Sequence, residues 1–153
     1  MGRLVRVKYP TGNATPYHDT TFAVTQLTSA DSLPEGISAG YWRRTEATYA
    51  ATKVTYLDAM WRPVLEQSYD AADIWATLSS TRTQYDSDGQ VVFKSYPFFD
   101  WAAGSKGVRN FYDGLGRLVR EEQDSEHNVL VKTTEYLAGL QVRVTNPRGH
   151  QST

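Results

Sequence analysis

Several clusters of polar side chains have the residue types that metal binding or catalysis requires. The most specific is Asp86-Ser87-Asp88-Gly89, because alternating aspartates followed by glycine begin many calcium-binding loops. The further oxygen ligands and the closing glutamate of such a loop are missing, and Gln90 runs directly into the strand-like segment 91–93. We therefore interpret this stretch as a turn between strands and predict no metal site.

The other clusters lack the spacing that catalysis or metal binding requires. Glu121 and Glu122 are adjacent carboxylates, but neighbours on a strand point to opposite faces and do not form an acid–base pair. The three histidines are scattered, with no spacing that would bring two imidazoles to one metal. Serines such as Ser79, Ser80 and Ser95 have no nucleophile motif around them. We expect no catalytic residue and no cofactor, so the chain is not predicted to be an enzyme.

Composition narrows the class of protein. Sixteen basic and seventeen acidic side chains leave a net charge of −1 in 153 residues, which gives no basic surface for nucleic acid. No apolar run is long enough for a membrane span, and the absence of cysteine excludes a disulfide framework. Ten tyrosines and four tryptophans, with valine and threonine, are typical of strands.

A degenerate repeat organises the chain. The template is Tyr112-Asp113-Gly114-Leu115-Gly116-Arg117-Leu118-Val119, and partial copies begin at Tyr56, Tyr85 and Tyr136, so that the four tyrosines lie 29, 27 and 24 residues apart. The pentapeptide that ends the template, Gly116–Arg120, also occurs at Gly2–Arg6. Internal repetition at this period indicates an array of small supersecondary units.

Each copy predicts a β-hairpin. Residues 108–112 alternate as a half-buried strand does, and residues 118–121 form the return strand. Between them Asp113 caps the turn, and Gly114 and Gly116 are expected to supply positive φ. The predicted loop has three to five residues.

The domain prediction is a single repeat array over residues 1–153. It comprises a partial repeat at 2–16, a divergent segment at 17–47 and clearer repeats at 48–149. Within the divergent segment Thr20–Leu27 reads as a strand and Ser32–Gly40 as a loop without the template.

The pattern resembles the signature of the RHS or YD repeat family. The best match is formed by Tyr112, Asp113, Gly116, Arg117 and Leu118; weaker matches are Tyr85, Asp86 and Gly89, then Tyr56, Asp58 and Arg62, then Tyr136 and Gly139. Gln90 stands where the family has arginine, Trp61 where it has glycine, and Leu137 where it has aspartate.

This resemblance implies an all-β fold in which antiparallel β-hairpin repeats stack into a curved, extended sheet. It implies a structural and encapsulation role, in a shell that encloses or presents a toxic C-terminal domain of the same polypeptide. The implied partners are neighbouring repeats and that toxin domain, with a carbohydrate-binding surface module as the alternative. The implied location is secreted or cell-surface and bacterial; the segment itself contains no address.

Aromatic side chains are the remaining candidates for contact with a ligand or cargo. They are Trp42, Trp61, Tyr96, Phe98, Phe99 and Trp101. Such rings either stack on sugars or touch an enclosed polypeptide, or they fill the pleated surface between hairpins.

Overall fold

The computed structural model describes residues 4–9, 17–99 and 104–153, and in them the chain is all-β, as predicted. The strands are β1 (Arg6–Val7), β2 (Thr20–Gln26), β3 (Trp42–Thr48), β4 (Ala51–Leu57), β5 (Pro63–Asp70), β6 (Ser79–Tyr85), β7 (Val91–Ser95), β8 (Gly107–Tyr112), β9 (Leu118–Asp124), β10 (Val129–Tyr136), β11 (Val142–Thr145) and β12 (Gln151–Ser152). In these described residues, helix is limited to the single turn α1 (Ile74–Thr77) and a 3₁₀ turn at Ala138–Leu140.

Contacts divide the chain into two compact units. The first consists of Met1–Thr81 with Pro97–Ala103, and the second of Arg82–Tyr96 with Gly104–Thr153. Within the first, β1 to β5 pair in order, and within the second the pairs run in order from β6 to β12. All these pairings are antiparallel and join neighbours in sequence, which is the hairpin rhythm that the repeats predict.

The first unit has the apolar core. Val54, Tyr56 and Leu65 share one face of β4 and β5, where register places Tyr56 opposite Leu65. The loop after β2 folds back over this face and buries Leu27 and Ile37 against it. Two bonds fix the base of the loop, from the Leu27 amide to the Tyr41 carbonyl and from the Gly40 amide to the Leu27 carbonyl, both 2.8 Å. The segment without a repeat template therefore covers the core.

The second unit combines one buried aromatic ring with polar contacts. Phe93 is its one large apolar side chain that is buried among the described residues, and the Arg109 guanidinium lies 5.2 Å from its ring centroid. The Asp124 carboxylate accepts the Arg109 side chain and the Gly107 amide, each at 2.9 Å. In register, Phe93, Arg109 and Glu122 follow one another across β7, β8 and β9 on one face. Charged side chains therefore cover a face that a larger core would otherwise need to bury.

Candidate functional site

The Asp113 turn shows what the aspartate and glycine that recur in the repeat do. The Asp113 amide donates to the Arg117 carbonyl and the Gly116 amide to the Asp113 carbonyl, both at 2.9 Å. One carboxylate oxygen of Asp113 accepts the amides of Leu115 and Arg117 at 2.9 and 3.0 Å. A single aspartate thus accepts the amides of the third, fourth and fifth residues of the five-residue loop, through its carboxylate and its own carbonyl.

The same turn occurs at three other positions. The first residue is Asp58, Asp86 or Asn146, and in each its amide donates to the carbonyl of the fifth residue at 2.9–3.0 Å. In each, its side-chain oxygen also accepts the amides of the third and fifth residues at 2.8–3.0 Å. The turn at Asn146 does not match the sequence template, because Thr145 precedes it in place of tyrosine. An amide oxygen serves there as well as a carboxylate, so the charge is not needed for the turn geometry.

The fourth residue of these turns has positive φ. Gly89, Gly116 and Gly149 have φ between 76° and 84°, and Trp61 has φ 63°. Gly114, which was expected to share this conformation, is not among the residues with positive φ, because the turn needs it only at the fourth position. A bulky residue with positive φ costs about 1 kcal/mol or more, so the backbone at Trp61 is strained where the other turns have glycine.

The turn after β10 is different. The Leu137 amide still donates to the Gln141 carbonyl at 2.9 Å, but Leu137 has no side-chain oxygen to cap the loop. Two consecutive residues, Gly139 and Leu140, have positive φ there, and the loop forms the 3₁₀ turn. The loop takes this different conformation because it has no aspartate to cap it.

In two of the turns an arginine at the fifth position clamps the aspartate. The Arg117 Nε lies 2.8 Å and its terminal nitrogen 2.7 Å from the second carboxylate oxygen of Asp113, and the Arg62–Asp58 pair has the same two distances. Hydrogen bonds from the Arg117 side chain and amide lower the pKa of Asp113. At Asp58 desolvation raises the pKa, but hydrogen bonds from Arg62 and Met60 outweigh it and leave the pKa lowered.

Tyrosine couples one hairpin to the next. The Tyr112 hydroxyl donates to the Val91 carbonyl at 3.0 Å, and the Asn110 side-chain amide donates to the same oxygen at 3.0 Å. The Tyr136 hydroxyl donates to the Leu118 carbonyl at 3.2 Å. Val91 and Leu118 occupy the same place, five residues after the first residue of the preceding turn. The repeat tyrosine therefore bonds across to the return strand of the hairpin before it.

Arginine strengthens this coupling in one interface. The Arg117 guanidinium carbon lies 4.2 Å from the centroid of the Tyr136 ring, at cation–π distance. Asp113 orients Arg117, Arg117 covers Tyr136, and Tyr136 bonds the residue after Arg117. Aspartate, arginine and tyrosine thus form one connected set that spans two consecutive hairpins.

Tyr56 does not take the tyrosine position. Leu57 directly precedes Asp58, and Tyr56 lies on the opposite face within the core of the first unit. Tyr85 directly precedes its turn aspartate, at the end of β6, as Tyr112 does at the end of β8. The extra residue after Tyr56 in the sequence thus changes which face its ring occupies.

Two of the candidate ligand aromatics stack on each other. Trp42 and Trp61 stack with ring centroids 5.0 Å apart and an interplanar angle of 22°, and Trp61 remains 51% exposed. The exposed fraction of Phe99 is also 51%, whereas Phe98 packs against the core. The Tyr96 hydroxyl donates to the Asp124 carbonyl at 2.6 Å. Trp101 lies outside the described residues.

One motif was missed in the sequence. Gly36-Ile37-Ser38-Ala39-Gly40 has the spelling of a nucleophile elbow, in which serine sits on a sharp turn from a strand into a helix. Here the segment lies in the loop that covers the core, the strand β3 follows it, and Ile37 is buried in the core. The motif therefore contributes packing, and the strand–turn–helix context of an elbow is missing from this part of the described chain.

Metal-ligand clusters and membrane-spanning helices are both missing from residues 4–9, 17–99 and 104–153. No group of three or more His, Cys, Asp or Glu side chains there is arranged to hold a metal ion. No helix in the same ranges is long and apolar enough to cross a membrane. No protein-family model matches the chain, and no curated protein matches it significantly.

Proposed function

We propose that this chain is a structural module, a segment of the β wall of an RHS/YD-repeat toxin protein that encloses or presents a toxic C-terminal domain. The observation that carries the proposal is the recurrence of one turn and one tyrosine bond from hairpin to hairpin. Such recurrence serves an array in which each unit is stabilised by its own turn and by its neighbour. In this proposal the residues named in the sequence signature are structural.

The small apolar core of the second unit supports the same role. Phe93 is the one large apolar side chain that is buried in its described residues, and the charged side chains of Arg109 and Glu122 lie beside it in register. Apolar side chains such as Phe111 and Leu130 remain exposed. A wall with solvent outside and a hydrated cargo inside needs hydrogen bonds along the sheet more than a thick apolar layer. The proposed mechanism is geometric: a closed wall keeps proteases and other proteins in solution away from the cargo.

The test uses the whole reading frame that contains this segment. We expect it to encode further Tyr-Asp repeats and an unrelated C-terminal domain. In limited proteolysis that domain should be protected within the whole polypeptide and cleaved when expressed alone. Equal cleavage rates in the two forms, or a frame without such a domain, would contradict enclosure.

A second candidate function, carbohydrate binding at a cell surface, is favoured by the Trp42–Trp61 stack. The outer face of an exposed indole is the surface on which a sugar ring packs, and Trp61 holds this position at the expense of a strained backbone. Titration with bacterial and host glycans should quench tryptophan fluorescence. Trp61→Gly, which restores the residue type of the other turns, should abolish the quenching, and Trp75→Phe should retain it. Flat titrations with the unaltered protein would remove this function.

A further inference from the structure

A cavity of about 280 Å³ lies between the Asp86 turn and the Asp113 turn of the second unit. Its lining includes Asp86, Asp88, Gln90, Asn110 and Tyr112. The side-chain oxygens of Gln90 and Asn110 are buried and have no hydrogen-bond partner among the described residues. The nitrogen of the Asn110 side chain is already used, because it donates to the Val91 carbonyl at 3.0 Å. Unpaired buried acceptors are costly, so the cavity favours a ligand that donates hydrogen bonds.

The Asp86 carboxylate lacks the arginine that clamps the carboxylates of Asp58 and Asp113. Gln90 occupies the fifth position of this turn, where the other two turns have arginine. One oxygen of Asp86 accepts the amides of Asp88 and Gln90, and the ion pairs among residues 4–9, 17–99 and 104–153 include neither Asp86 nor Asp88. The cavity therefore has negative charge without a counter-charge.

Tyr112 occupies the same place in its pair of hairpins as Tyr136 does in the next pair. The Tyr112 hydroxyl bonds the carbonyl of the residue after Gln90. The Tyr136 hydroxyl bonds the carbonyl of the residue after Arg117, whose guanidinium carbon lies 4.2 Å from the centroid of the Tyr136 ring. The ring of Tyr112 is thus the one that an arginine at position 90 would cover, and this ring lines the cavity.

We propose that the cavity binds the guanidinium group of an arginine from another polypeptide, which takes the place of the arginine missing at position 90. A guanidinium is a planar cation with several N–H donors, so it can pair with the oxygen of Asp86 that accepts no amide and stack on Tyr112. Its remaining donors match the unpaired oxygens of Asn110 and, once that side chain rotates, of Gln90.

The charge of the lining selects for an arginine within a polypeptide. Free arginine carries an α-carboxylate, and the described residues that line the cavity offer Asp86 and Asp88 but no lysine, arginine or histidine to meet it. In a peptide that carboxylate is an amide, so this repulsion is absent. A calcium ion is a poorer match, because it takes about six to eight oxygen ligands and one oxygen of Asp86 already accepts two amides.

The inference goes beyond the shell function and does not rest on it, since the cavity belongs to the two turns whatever the hairpins enclose. The experiment titrates the full chain with the blocked tripeptide acetyl-Gly-Arg-Gly-amide. Nuclear magnetic resonance follows the ¹³C signals of the Asp86 and Asp88 carboxyl groups and the ring signals of Tyr112, and we expect them to shift together and to saturate.

Two further ligands separate the sources of binding. The same tripeptide with citrulline in place of arginine exchanges the charged guanidinium for a neutral urea, and it should bind at least about tenfold more weakly, as loss of a charged donor implies. Free arginine should bind about threefold or more weakly than the tripeptide, because of its α-carboxylate.

Variants of the turn test the place of binding. Gln90→Arg supplies the guanidinium within the chain, and Asp86→Asn keeps the capping oxygen, as in the Asn146 turn, but removes the charge; each should lower the affinity for the tripeptide at least about tenfold. Gln141→Arg is the matched control, because it makes the same substitution at the fifth position of the turn that begins with Leu137 and has no aspartate. Its affinity should stay within about twofold of the wild type.

Several results would overturn the proposal. They are absent shifts, equal binding of the arginine and citrulline peptides, and an affinity that neither Gln90→Arg nor Asp86→Asn lowers. Equal binding of free arginine and the tripeptide would contradict a polypeptide ligand. Shifts produced by calcium chloride and not by the tripeptide would assign the cavity to a metal ion instead. None of these results depends on enclosure of a cargo, so this test and the protease test fail independently.

Discussion

Asp58 offers the sharpest test of the turn because its contacts can be removed in two steps. Asp58→Asn should keep the bonds to the amides of Met60 and Arg62, as Asn146 does in its own turn, and lose the ion pair with the Arg62 side chain. Asp58→Ala removes all of them. Comparing the two variants separates the capping of the loop from the charge.

The expected magnitudes follow from burial and partner count. Asp58 is only 8% exposed, and its ion pair is partly shielded from water, so the loss of charge in Asp58→Asn should cost about 1–2 kcal/mol. Asp58→Ala also leaves two amides without their acceptor, which adds about 1–2 kcal/mol. We therefore expect about 2–4 kcal/mol for the alanine variant, roughly twice the loss in the asparagine variant.

Tryptophan fluorescence is the suitable assay, because Trp42, Trp61 and Trp75 all belong to the first unit, with Asp58. Urea unfolding should be followed at neutral pH and again in steps down to about pH 3. Since the folded pKa of Asp58 is lowered, its contribution to the free energy of unfolding is fully present above the ordinary aspartate pKa of about 3.9. That contribution is lost as the pH falls through the folded value, so the wild type should approach Asp58→Asn only in acid.

Two results would refute this reasoning. If Asp58→Asn were as unstable as Asp58→Ala at neutral pH, the amide could not replace the carboxylate as a cap, and the equivalence with Asn146 would be wrong. If the difference between wild type and Asp58→Asn stayed constant down to pH 3, the ion pair would not be its source. Ala59→Ser, a change at an exposed residue of the same turn, serves as the control and should leave stability within about 0.5 kcal/mol.

Three further predictions concern the coupling and the backbone of the second unit. Tyr136→Phe removes one partly exposed hydrogen bond and should cost about 0.5–1 kcal/mol, with faster amide exchange in β9 and β10 as the readout; unchanged exchange would contradict the coupling role. Gly107→Ala should cost more than about 2 kcal/mol in thermal and urea unfolding, because the new Cβ would lie 2.2 Å from the Lys94 carbonyl oxygen, whereas Gly114→Ala, with open space around it, should be within about 0.5 kcal/mol of neutral. Leu140→Gly should raise stability by about 0.5–1 kcal/mol in the same assays by removing a side chain from positive φ, and a loss of stability would show that this backbone is not strained.

Local turn chemistry was predictable from the sequence because its residues are close together. Asp113, Gly116 and Arg117 lie within five residues, and their roles in a capped hairpin follow from side-chain oxygens and glycine conformation alone. The same reasoning wrongly gave positive φ to Gly114, since composition does not say which glycine of a loop takes that conformation. Asn146 did not match the repeat template, because the template required a tyrosine that has no part in closing the turn.

Contacts between hairpins could not be predicted in the same way. The bond from Tyr136 to Leu118 depends on strand register and on the direction of one carbonyl, and neither is visible in a repeat pattern. The stack of Trp42 on Trp61 joins residues 19 positions apart through the β3–β4 pairing. The core of the first unit was likewise hidden, because Leu27 and Ile37 lie in a segment that matches no repeat.

The exclusive pairing of neighbours within each unit has a consequence for how the chain acquires its structure. Every hairpin joins strands that are close in sequence, so its closure loses little chain entropy and does not depend on contacts with distant residues. The capped turns bring the two strands of a hairpin together first, and each finished hairpin then presents an edge to the next. We expect ordered growth from one hairpin to the following one as the chain leaves the ribosome, at a rate set by synthesis and not by a search for long-range contacts.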